Sequence, residues 1–178
     1  MRIRALTVAA LGAVLTLSAC GGTPAQRQAQ HNQADVMFAS QMIPHHKQAV
    51  SMADMVPAHT KDPKLRSLSE QIKKAQRPEI DTMSGWLDSW GAKDQASEHS
   101  GHAMTGMMSE QDMSKLGTVN GKTFDTMWLD MMIKHHQGAV DMSNTELQDG
   151  SAKEAKQLAR DIIGAQRKEI GTMRGMLG

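Results

Sequence analysis

From Asp35 onward the apolar positions of the chain recur three and four residues apart. Asp35, Phe38, Met42, His45, His46, Ala49, Met52 and Ala53 share one stripe at i, i+3, i+4, i+7 spacing, the period of an amphipathic helix. Pro57 is expected to close that helix. Asp62 followed by Pro63 predicts the start of the next, because proline fits the first helical position. Leu65, Leu68, Ile72, Gln76, Glu79, Ile80, Met83 and Leu87 make its inner face, and Gly91 ends it. A third helix is expected from about Lys122 to Leu147. A fourth should run from Ser151 to Leu177, opened by a capping box of Ser151 and Glu154. No alternating β-branched run predicts a strand. Pro44 and Pro78 fall inside helices and are expected to bend them, each removing one backbone hydrogen bond.

Displaced by 90 residues, the sequence matches itself. Met42-Ile43-Pro44-His45-His46 aligns with Met132-Ile133-Lys134-His135-His136, and Ala49-Val50-Ser51-Met52 with Ala139-Val140-Asp141-Met142. Ala75-Gln76-Arg77-Pro78-Glu79-Ile80 aligns with Ala165-Gln166-Arg167-Lys168-Glu169-Ile170, and Thr82-Met83 with Thr172-Met173. Over residues 35–87, 20 of 53 positions are identical without a gap. The expected fold is therefore all-α: a four-helix bundle over 34–178 built from two duplicated helical hairpins, 34–90 and 122–178. One hairpin alone would leave its apolar stripes in water, and two can bury a shared core. The joining segment 91–121 is rich in Ser, Gly, His and Met, and one short helix is expected in it near Ser109.

The first twenty residues belong to a different kind of segment. Arg2 and Arg4 precede a largely apolar stretch from Ala5 to Leu17 that is too short to span a bilayer as a helix. Leu17-Ser18-Ala19-Cys20 then fits a lipoprotein signal peptide, in which Cys20 is lipidated and becomes the first residue after cleavage; an ordinary secretory peptide is the alternative. Residues 21–33 read as a flexible tether. The expected location is extracytoplasmic, with the chain held to the membrane through Cys20. Cys20 is the only cysteine, so disulfides and thiolate metal sites cannot hold the domain together. Without Arg2 and Arg4 the chain carries 18 Lys+Arg against 19 Asp+Glu, a net charge of −1 that offers no basis for binding nucleic acid.

The candidate chemistry centres on His45-His46 and His135-His136. Adjacent helical residues point about 100° apart, so one ring of each pair can face the axis while the other leans toward a neighbouring helix. Burying such rings beside Met42 and Met52 is costly unless each nitrogen finds a partner. Gln76, Glu79, Gln166 and Glu169 lie on inner stripes and are natural partners; Asp35 and Asp125 could add carboxylates. A hydrogen-bonded core network and a metal site both satisfy this pattern. The 16 methionines sharpen the choice. Met42, Met52, Met83, Met132, Met142 and Met173 sit at core spacing and suit packing, since Met fills irregular cores. His99, His102, Met104, Met107 and Met108, however, fall in the polar linker, where core packing does not account for them. Thioether suits Cu(I) and imidazole suits Cu(II), a combination that favours copper over zinc or calcium. A di-iron site would want Glu-x-x-His motifs, and the sequence has none.

At these residues the chain resembles the family known as domain of unknown function 305, over about 33–178. The diagnostic pieces are Met-Ile-x-His-His-x-x-Ala-Val-x-Met at 42–52 and 132–142, and Gln-Arg-x-Glu-Ile-x-x-Met at 76–83 and 166–173. The resemblance implies a secreted or lipid-anchored protein with a ferritin-like four-helix fold. Its CopM-like members bind copper, which implies ligands at His45, His46, Met42, Met52, His135, His136, Met132 and Met142. The expected function is non-enzymatic copper capture, buffering or resistance beside a copper exporter or redox partner. A metal-free structural or interaction module and a ferritin-like oxidoreductase are the alternatives. The sequence leaves the oligomeric state open.

Overall fold

The computed structural model describes residues 31–93 and 105–178. Four long helices, α1 (Gln33–His59), α2 (Pro63–Trp90), α4 (Gly121–Asp149) and α5 (Lys153–Leu177), form the bundle, and α3 (Glu110–Leu116) lies in the linker. Local chemistry explains most of the ends. Asn32 caps α1 in a capping box with Asp35, and Asp62 caps α2 with Pro63 in the first turn. Gly91 closes α2 in the left-handed region at φ 67°, where a side chain would be strained. Ser109 and Asp112 box the start of α3.

Two boundaries differ from the pattern in the sequence. Helix α1 continues through Pro57 to His59. Arg66 reaches back from α2 and donates to the Pro57 and Thr60 carbonyls at 2.9 Å each, holding the last turn that proline weakens. Ser151 does not cap α5, whose N-cap is Ala152 with no side-chain bond of its own. The cap comes from another helix: the Asp35 carboxylate accepts from Ser151 N at 3.0 Å, Ala152 N at 2.9 Å and Ser151 Oγ at 3.0 Å. Asp35 thus fastens the start of α1 to the start of α5.

Each hairpin packs its two helices together, and the hairpins meet through α1 and α4. These two run antiparallel. At one end Asn32 Nδ2 donates to Asp149 O at 2.8 Å; at the other His59 stacks on Phe124, with centroids 4.8 Å apart. Between them the buried Trp128 indole donates to Met52 O at 2.8 Å. The core consists of two apolar clusters. One gathers Ala49, Met52, Ile72, Trp128, Met132 and Met173; the other gathers Phe38, Met42, Met83, Leu87, Ala139 and Ile162. On every long helix the residues between the clusters are polar, and that layer is the candidate site.

Residues 1–30, including the signal segment and Cys20, lie outside the described residues. The end of the stretch read as tether is held in place, since His31 stacks on Trp90 with centroids 4.7 Å apart and Asn32 caps α1. Among the described residues no helix is long and apolar enough to cross a membrane.

One buried group fits neither cluster. Glu146 is 1% exposed and corresponds by the 90-residue offset to the fully buried Val56. Burial, then the hydrogen bond to Asp35 and the charge of Asp35, push its carboxyl from an ordinary 4.5 up to about 8. Asp35 goes the other way. Burial raises its pKa, but hydrogen bonds from the Asn32 backbone, Glu146, the Ala152 backbone and Ser151 outweigh it and hold the group ionised. Glu146 therefore keeps its proton beside the ionised Asp35. A folded-state pKa above the unfolded one means stability is full below pH 4.5 and is lost as pH rises through about 8. Urea unfolding across pH should show this loss in the wild type and not in Glu146→Gln. Parallel pH profiles for the two proteins would contradict the assignment.

Candidate metal centre

The two apolar clusters leave a gap at corresponding heights on all four long helices. Residues 45 and 46 fall between them on α1, 76 and 79 on α2, 135 and 136 on α4, and 166 and 169 on α5. His45, His46, His135 and His136 have no exposed surface, and Gln76 and Gln166 have almost none. The sequence expectation that each pair divides its two rings is met in a specific way. His45 and His135 face each other across the α1–α4 contact, centroids 3.7 Å apart and planes inclined by 36°. His46 and His136 turn instead toward the second helix of their own hairpin. There Nε2 of His46 donates to Glu79 and Nε2 of His136 to Glu169, each at 2.7 Å. Glu79 and Glu169 keep about a fifth of their side chains in water, while the rings they hold are dry.

These bonds determine which nitrogen carries hydrogen. A carboxylate or carbonyl can only accept, so Nε2 is the N–H of His46, His136 and also His45, which donates to the Thr105 carbonyl at 3.2 Å. Among the described residues, the Nδ1 atoms of all three rings are buried with no hydrogen-bond partner, and His135 makes no well-formed hydrogen bond from either nitrogen. Both amide atoms of Gln76 and Oε1 of Gln166 are orphaned in the same layer. Burial, then the charge of His46, pushes the His45 pKa from 6.5 down to about 3. Burial and the other three histidines also push His135 well below its ordinary range. Both central rings are thus neutral at physiological pH, with lone pairs free to bind an electrophile.

The predicted methionines border this layer from both sides. Met42 and Met83 belong to one apolar cluster with Met142 packed against it; Met52, Met132 and Met173 belong to the other. The remaining candidates are placed elsewhere. Asp35 is spent on caps at the end of the bundle, about 15 Å along α1 from His45 at 1.5 Å per residue. Asp125, its counterpart, sits at the opposite end near Asp62 and Lys64. Among the linker residues, Met107 and Met108 are half-buried, while His99, His102 and Met104 lie outside the described residues. Among the described residues no three His, Cys, Asp or Glu side chains already surround a common point. Thr105 acts on His45 through its backbone, which no side-chain motif announces.

Residues 35–177 match the family described as Domain of unknown function (DUF305). The chain belongs to that family. Among solved structures it is similar to a DUF305 protein of Streptomyces coelicolor, at 35% identity over 81% of this chain and 91% of that one, with a TM-score of 0.74. A DUF305 fragment from Deinococcus radiodurans is 33% identical over 83% of this chain and 97% of that one, with a TM-score of 0.73. CopM in its Cu(II)-bound form is 32% identical over 80% of this chain and 95% of that one, with a TM-score of 0.69; CopM has also been solved in a Cu(I)-bound form. A mimivirus protein, L153 of Acanthamoeba polyphaga mimivirus, matches at 37% identity over 54 residues, or 36% of its own length.

The DUF305 layer of this chain passes a chemical test for a copper ion. Its orphaned donors are imidazole nitrogens, its flanks are thioethers, and its two glutamates hold rings by their far nitrogens, as carboxylates do behind metal-bound histidines. A hard cation would want a shell made mostly of oxygen, and among the described residues the orphaned oxygens of the layer are those of the two glutamine amides, against five ring nitrogens. The same bonds carry stability without any metal. Glu79→Ala and Glu169→Ala each strand a buried N–H and should lower the unfolding free energy by about 1–3 kcal/mol. Lys73→Ala, which breaks surface ion pairs with Glu70 and Asp54, should cost less than about 1 kcal/mol. Equal losses in urea titrations would refute the distinction.

Proposed function

We propose that this DUF305 protein captures and holds copper outside the cytoplasm and catalyses no reaction on it. The carrying observation is the layer of four buried imidazoles between methionine-bordered clusters, in which five ring nitrogens have no partner among the described residues. Burying that many bare polar atoms is costly, and much of the cost is recovered when an ion accepts the lone pairs among them; one of the two His135 nitrogens is an N–H and has none to give. His45, His46, His135 and His136 would hold the ion, with Met42, Met52, Met132 and Met142 as the thioethers able to turn toward it. Imidazole would serve Cu(II), and thioether would serve Cu(I). Glu79 and Glu169 are orienting groups. The copper-bound forms of CopM support the reading by family likeness, and the Arg2-to-Cys20 segment supports lipid anchoring on the outer face of the membrane. There the ion could pass to an exporter or redox partner.

Titration of the chain lacking residues 1–20 with Cu(I) and Cu(II) tests the reading. Tight uptake is expected, with His45→Leu and His135→Leu abolishing it while keeping the layer filled. Glu79→Gln and Glu169→Gln should weaken affinity about 10- to 100-fold. No uptake by the wild type, or full uptake by the His→Leu variants, would leave the layer as a structural network only.

A further inference from the structure

The central imidazoles are sealed from one side by the chain itself. Residues Thr105–Met108 cross the bundle over α1 and α4, held by three hydrogen bonds and the close approach of two glycines. The Thr105 carbonyl takes the hydrogen of His45 Nε2. Gly106 adopts a left-handed φ of 84° and lies so close to α4 that a Cβ there would stand 2.8 Å from the Lys134 carbonyl. Gly138 is the matching notch in α4, since a Cβ on it would run into the Thr105 carbonyl. From α1, Gln48 grips Met108 twice, its Nε2 donating to Met108 O at 2.8 Å and its Oε1 accepting from Met108 N at 2.7 Å.

Gln48 and Gly138 occupy the same place in the two hairpins, three residues after His45 and His135. Around them the hairpins agree: Ala49-Val50 follows Gln48 and Ala139-Val140 follows Gly138. Glycine inside a helix weakens it, and a glutamine buys α1 nothing by itself. The strap explains both, because one helix must grip it and the other must make room. Beside it Met108, Met127 and Met131 line a groove of about 680 Å³, and Met131 stands one turn before His135 on α4.

We propose that Thr105–Met108 is a latch that holds His45 in its Nε2–H tautomer and must open for an ion to pass between the groove and the His45–His135 pair. Gln48, Gly138 and Thr105 are its positioning residues, and the thioethers of the groove are the first donors a soft ion meets. Neither central ring has exposed surface, so passage on this side requires Thr105 to move. The gating part rests on the copper reading; the tautomer part does not.

The test uses Gln48→Leu, which removes both grips, and Gly138→Ala, which lifts Thr105 by sterics. In the metal-free protein, 15N NMR of histidine should show His45 as Nε2–H in the wild type and as a tautomer mixture in each variant. Ag(I)-loaded Gln48→Leu should release silver to a thiosulfate scavenger about tenfold faster, as expected for two lost hydrogen bonds, and Gly138→Ala should also release it faster, both at unchanged stoichiometry. Unaltered His45 tautomers in both variants, or release at the wild-type rate, would overturn the latch. A wild-type chain that takes up no silver would overturn the gating together with the copper reading, whereas intact uptake with wild-type release rates in the variants would overturn the latch alone.

Discussion

The contact between His45 and His135 is the constraint on which the rest of the molecule depends. Two neutral rings with centroids 3.7 Å apart stand where α1 and α4 cross, at the point where leucines would ordinarily close a helix–helix seam. Their presence divides the interior into two apolar clusters. It forces the second helix of each hairpin to supply a glutamate for the neighbouring ring, and it places a backbone carbonyl of the linker over His45. Each of these arrangements satisfies one atom of a histidine. Among the described residues five ring nitrogens still lack partners, and that excess distinguishes the layer from an ordinary buried network.

Most of this was legible along the chain, and the reason is periodicity. A stripe of 3.6-residue period that carries His-His at one height and Gln-x-x-Glu at the matching height of the next helix leaves few ways to pair them. Which ring of each pair takes the glutamate was not legible; the structure pairs His46 with Glu79 and His136 with Glu169, both 33 residues apart. What could not be read depends on groups without a side-chain signature or on partners distant in sequence. The Asp35 stripe position looked like a site carboxylate, yet its partners Ser151 and Ala152 lie 116 and 117 residues away and draw it to the end of the bundle. Ser151 and Glu154 had the spacing of a capping box, but a carboxylate from another helix reached those amides first. Pro57 reads as a stop until Arg66 is seen to hold the carbonyls around it.

The differences between the hairpins are as informative as their likeness. Val56 packs in one core cluster, while Glu146 at the matching position lies buried at the opposite end with its proton retained against Asp35. Asp62 caps its own helix, which leaves Asp125 without the task that Asp35 performs. Gln48 and Gly138 differ where the linker, which has no copy, crosses them, and the other two departures fall at the matching turns within the hairpins, residues 60–62 and 150–152. The four histidines and the two glutamates are the same residue types in both hairpins, and the His46–Glu79 and His136–Glu169 bonds have the same length.

X-ray absorption at the copper edge of the loaded protein tests the central claim most directly. The account predicts the multiple-scattering signature of more than one imidazole, lost when His45 and His135 are both leucine. A shell of light atoms without imidazole scattering, unaltered by those substitutions, would contradict it.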